Sequence, residues 1–83
     1  MIKDIFENFE EYDSSIELAE LMEFAITNEK EIQNDAKSGD VQANQILRDY
    51  INFTRTGDEG FLIQSIQHYM ETKQNEIDKV KEN

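Results

Sequence analysis

Apolar residues recur along this chain at helical intervals, and polar stretches interrupt them in three places. Ile2, Ile5, Phe6, Phe9 and Tyr12 advance by three, one, three and three residues, which lays one stripe along a helix over 2–12. Leu18, Leu21, Met22, Ala25, Ile26 and Ile32 share a face over 15–37. Ala43, Ile46, Leu47, Tyr50, Ile51 and Phe53 cover a wide arc over 41–55, which predicts a central place for the third helix. Leu62, Ile63, Ile66, Tyr69, Met70, Ile77 and Val80 line a fourth helix over 59–80. Its end turns polar from Thr72 onward and is expected to fray or project. No strand-like alternation occurs. The expected fold is all-α, a single small bundle of three to four helices forming one domain over 1–83.

The interruptions carry stop and start signals. Lys37-Ser38-Gly39-Asp40 and Arg55-Thr56-Gly57-Asp58-Glu59-Gly60 each offer a base, a glycine able to turn left-handed, and an aspartate to cap the next helix. Thr56 with Glu59, and Ser14 with Glu17, have capping-box spacing. A calcium loop fails at the first stretch. With Gly39 at the sixth position, Ala36 and Gln45 fall where oxygen ligands of the third and twelfth are required.

Composition narrows the chemistry. Eighty-three residues lie near the lower size at which one core sustains a fold, and 33 % of them are charged. High net charge is also a mark of disorder, but here the apolar positions fall on helical faces. With no cysteine, disulfides and thiolate sites are excluded. No stretch approaches the roughly 20 apolar residues that cross a bilayer. The amino-terminal acids do not suit a signal peptide, so a cytoplasmic location is expected.

Catalysis finds little to work with. The one histidine, His68, points away from the Leu62, Ile66 and Tyr69 stripe and cannot form a helical metal pair alone. Ser14 and Ser15 read as caps, and Ser65 has no evident base. No glycine-rich phosphate loop is present. The chain reads as a non-enzyme with no catalytic residue, no cofactor and no metal site.

Charge is the feature above background. The net charge is −11, and residues 1–35 hold eleven acids against two lysines, a net of −9. Between Lys3 and Lys30 stand nine acids and no base. Asp4, Glu7 and Glu11 share one side of the first helix, with Glu10 beside them, and Glu17, Glu20 and Glu23 step by three along the second. Like charges so spaced weaken a helix. Such a face is either a solvated surface or a dock for a basic protein. Direct nucleic-acid binding and anionic membranes are disfavoured, because both draw affinity from lysine and arginine. Phe24, beside Glu17 and Glu20, is either packed by a neighbouring helix or an apolar anchor amid the acids.

These residues predict a binding module that inhibits or regulates a partner with a basic surface, such as a nucleic-acid-handling protein. The alternative is a structural subunit or adaptor docking through apolar helix faces, and the fourth helix also permits a homodimer. In size and charge, though in no motif, the chain resembles the small acidic helical inhibitors that phages encode. That resemblance implies an inhibitor; the carboxylates themselves would either complement lysines and arginines on the partner or imitate the phosphate track of nucleic acid, as a DNA mimic does.

Overall fold

The computed structural model describes residues 5–6 and 8–82, with side chains as far as residue 74. Four helices make up most of it: α1 (Ile16–Thr27), α2 (Glu29–Lys37), α3 (Val41–Thr56) and α4 (Gly60–Glu82). No strand occurs among the described residues. The fold is an all-α bundle, and no described helix is long and apolar enough to cross a membrane.

The two glycine stretches act as expected. Gly39 and Gly57 take the left-handed conformation, at φ +96° and +78°. Asp40 caps α3 by accepting the Ala43 N–H at 2.8 Å. The Gly57 N–H closes the end of α3 on the Phe53 carbonyl at 2.8 Å. The capping boxes are replaced by other contacts. Ser15, not Ser14, caps α1 by accepting the Leu18 N–H at 3.1 Å. Glu59 does not reach back to Thr56. Its carboxylate crosses to α1, where the Ser15 hydroxyl donates at 2.6 Å and the Ser15 N–H at 3.0 Å.

The expected helix over 2–12 is corrected. Its described part is a turn followed by a single 3-10 turn, Phe9–Glu11. A short helix is marginal on its own, and this one would set Glu10 and Glu11 in its last turn without any base. Phe6, Phe9 and Tyr12 are three residues apart, the period at which 3-10 side chains eclipse. The segment 5–12, hereafter the strap, lays all three rings against α3. Phe6 meets Tyr50 edge-on at 4.8 Å, and Phe9 and Tyr12 lie 6.2 and 5.8 Å from Phe53. Ile2 lies outside the described residues.

The expected helix over 15–37 is also corrected, because it breaks at Asn28 (φ −107°, ψ 23°). The Asn28 amide donates to the Phe24 carbonyl at 2.9 Å, and the Thr27 hydroxyl to that of Glu23 at 2.8 Å. Both compete with continuation of the helix. The break turns Glu29 inward, where its carboxylate accepts the Phe6 N–H at 2.9 Å. Ile26, expected inside, is 46 % exposed because the buried arc of α1 runs through Leu18, Met22 and Ala25 towards Leu21 and Phe24 and leaves it at the far edge, while Ile32 is buried on α2.

Each helix touches two others: α1 packs on α4 and α2, and α3 packs on α4 and α2. The Ser15–Glu59 contact and the Phe24–Tyr69 ring pair make α1 and α4 run side by side in one direction. The core between them holds Leu18, Met22, Ala25, Ile32, Ala43, Ile46, Tyr50, Phe53, Leu62, Ile66 and Tyr69, with Phe6 and Phe9 from the strap. So α3 shares the centre with α4 rather than holding it alone, and Ile51, assigned to its inner arc, is half exposed. Ile77 and Val80 lie outside the described side chains.

Candidate functional site

Helix α1 and the strap before it carry the acids marked by the sequence. Glu10, Glu11, Glu17, Glu20 and Glu23 are all exposed. None of them takes part in an ion pair or side-chain hydrogen bond among the described residues, where the ion pairs gather instead on Lys73. Asp4 and Glu7 lie outside the described residues. Glu20 and Glu23 follow the outward line of α1 that begins at Ile16, itself 81 % exposed. Glu17 stands to one side of that line.

Phe24 occupies a different environment from these acids. It is half-buried against the core, its ring 6.3 Å from that of Tyr69 at an interplanar angle of 56°. Its contact with α4 accounts for its place off the inner stripe of α1. The large apolar residues that do stand in solvent are Ile16, Ile26, Val41, Ile51 and Phe61.

Several acids that sequence reasoning passed over have structural partners. The Tyr69 hydroxyl donates to Asp35 at 2.6 Å, and Lys73 pairs with Asp35 at 3.0 Å and Glu31 at 3.5 Å. The Lys73 ammonium also lies 5.3 Å from the centre of the Tyr69 ring. The hydrogen bond from Tyr69, then that from Lys73, holds the Asp35 carboxyl below the usual carboxylate range. Burial, then the bond to Asp35, pushes the Tyr69 phenol far up, so it stays a donor. A signal for this cluster was present: Glu31 and Asp35, like Tyr69 and Lys73, are four apart on one helix face. What was not legible is that the two faces meet.

A second buried polar centre lies under the strap. Glu29 is 7 % exposed and Tyr50 4 %. Among the described residues the Tyr50 hydroxyl has no hydrogen-bond partner. Burial, with Tyr12, Glu29 and Glu11 nearby, pushes its phenol up to about 12. At neutral pH it stays protonated, a donor unmatched among the described residues.

Of the groups considered for catalysis, His68 is exposed. Ser65 is buried, its hydroxyl between the Asp49 carboxylate and the Phe61 carbonyl, with Gln45 donating to the other Asp49 oxygen at 3.0 Å. This contact ties α3 to α4. Among the described residues no group of three or more acids or histidines is placed to hold a metal ion. Comparison of the chain with protein-family models, curated proteins and solved structures finds no match.

Proposed function

We propose that the chain is a non-enzymatic binding module whose amino-terminal half receives a basic protein surface and thereby regulates or inhibits its owner. The observation that carries this reading is the state of Glu10, Glu11, Glu17, Glu20 and Glu23: exposed, and engaged by no base of the chain among the described residues. Unneutralised carboxylates on one half of a molecule with net charge −11 steer a basic partner from a distance and speed its capture. A nucleic-acid-handling protein fits best, because its own site is built to attract phosphate. Carboxylates one helical turn apart, about 5.4 Å, serve there as an imitation of the phosphate track. Phe24 contributes from beneath rather than as a free anchor, since its ring already packs on Tyr69.

Exposed apolar residues favour one other reading. Ile16, Val41 and Phe61 are 81 %, 77 % and 60 % exposed, which suits an adaptor or self-associating subunit whose acids serve solubility. Salt separates the two. Charge-led binding weakens by orders of magnitude from low to high ionic strength, whereas apolar docking barely responds. The deciding experiment captures the partner with the native chain and with one carrying Glu17→Lys, Glu20→Lys and Glu23→Lys, at low and high salt. An acidic partner, or one retained by the reversed chain, refutes the reading.

A further inference from the structure

The strap is held to the bundle chiefly by rings. Among the described residues its backbone hydrogen bonds are internal, from Phe9 to Phe6, Glu11 to Asn8 and Tyr12 to Phe9, and the Phe6 N–H reaches the bundle at Glu29. It joins α1 through an extended Tyr12 and the exposed Asp13 and Ser14. Two observations mark its seat as imperfectly filled. The first is the buried Tyr50 hydroxyl beside Glu29, which the strap leaves without a partner. Burying such a group unsatisfied is a cost that a better occupant removes. The second is charge. Of the net −11, residues 5–12 contribute −3 and the rest of the chain −8, so the strap and the remainder of the chain carry the same sign. Glu7, Glu10 and Glu11 stand between the very aromatic residues that fill the groove.

We propose that the strap is a placeholder in a docking groove formed by Tyr50, Phe53 and Glu29, whose preferred occupant is a basic partner segment with aromatic residues three apart. Such a segment keeps the ring contacts on α3 and exchanges repulsion for attraction. It also brings a hydrogen-bond partner to the buried Tyr50 hydroxyl. This inference rests on the basic partner argued above and says where on the chain that partner seats. The strap is then an internal competitor: it shields the aromatic groove until a basic segment displaces it, and the hinge at residues 13 and 14 lets it swing clear.

The test uses the full chain and two synthetic octapeptides. One is the strap sequence itself, Ile-Phe-Glu-Asn-Phe-Glu-Glu-Tyr; the other replaces its three glutamates by lysine. Each is titrated into labelled protein while the amide signals of Phe6, Phe9 and Tyr12 and the ring signals of Tyr50 and Phe53 are followed by NMR. The basic peptide is expected to shift the ring signals, to move the strap amides towards disordered positions, and to bind about tenfold or more tighter than the acidic one at low salt. Glu29→Gln keeps an acceptor for the Phe6 N–H and should narrow that preference. Equal binding of the two peptides, no binding, or binding that leaves the strap signals in place overturns the proposal. If the basic peptide binds without moving the strap, and reversal of Glu17, Glu20 and Glu23 abolishes that binding, the basic-partner reading survives alone. Displacement that proceeds equally in the reversed chain supports the groove and removes the outer face of α1 as the steering surface.

Discussion

Replacing Tyr50 or Tyr69 by phenylalanine deletes one oxygen atom from a ring that is at most 4 % exposed. The packing of the two rings survives, so the difference between the variants isolates what each hydroxyl does. At Tyr69 the oxygen donates to Asp35 at 2.6 Å. A hydrogen bond to a charged group contributes about 1.5–3 kcal/mol. Asp35 is partly exposed and keeps Lys73 at 3.0 Å, so the lower part of that range applies and Tyr69→Phe should cost about 1.5–2 kcal/mol. At Tyr50 the hydroxyl has no partner, and its desolvation is a cost of about 1–3 kcal/mol already present in the native state. Tyr50→Phe removes that cost and should stabilise the fold by about 1 kcal/mol. The same deletion therefore acts with opposite sign at two sites in one core. Urea unfolding followed by far-UV circular dichroism reads both, and in a domain this size each kcal/mol moves Tm by about 4–8 °C. If Tyr50→Phe loses as much stability as Tyr69→Phe, the Tyr50 hydroxyl is bonded and the seat beneath the strap is complete.

Other predictions concern single contacts. Asp40→Ala removes the oxygen that caps α3 and should cost about 1 kcal/mol in the same urea assay. Gly57→Ala meets open space but must hold φ at +78°, so strain alone should cost about 1–2 kcal/mol. Asp35 sets a pH dependence. Its carboxyl titrates lower in the folded chain than in the unfolded one, so its contribution is complete above about pH 4 and disappears as pH falls through the depressed folded value. Asp35→Asn should flatten that acid limb, and an unchanged slope of stability against pH would refute the assignment.

The parts of the fold that were legible are those decided locally. A glycine able to turn left-handed and an aspartate after it mark the entry to α3, and the boundaries of α3 and α4 fall within two residues of the sequence expectation. The strap was misread because steps of three suit an α-helix stripe and a 3-10 turn equally, and only the rings of Tyr50 and Phe53 choose between them. The break at Asn28 has local side-chain bonds behind it, but the contact it permits, Glu29 with the Phe6 N–H twenty-three residues earlier, lies in no window of sequence. Helical periodicity likewise ran Ile26 into the core because it centred the inner arc of α1 too far from Phe24. At the candidate site, the exposure of Glu17, Glu20 and Glu23 followed from their spacing. The packing of Phe24 did not, since it required knowing that α4 runs along that side of α1.

Sorting the acids by what they touch sharpens the case for an external role. Glu29, Glu31, Asp35, Asp40, Asp49, Asp58 and Glu59 all hold something: a backbone N–H, a tyrosine, a serine or Lys73. Glu10, Glu11, Asp13, Glu17, Glu20 and Glu23 hold nothing among the described residues. Among the acids whose side chains are described, all the unengaged ones but Glu71 on α4 stand before Asn28. Selection for stability alone would not keep such a row. Glu20 stands three residues from both Glu17 and Glu23, and like charges at that spacing cost about 0.2–0.5 kcal/mol per pair. Glu20→Lys exchanges two repulsions for two attractions and should stabilise the chain by about 1–2 kcal/mol at low salt, with the gain shrinking as salt is added. The same substitution should weaken capture by a basic partner, the pattern expected where function is kept at the expense of stability. Loss of stability in that variant would mean that Glu20 already answers a base within the molecule, and the surface would then have no charge to spare for a partner.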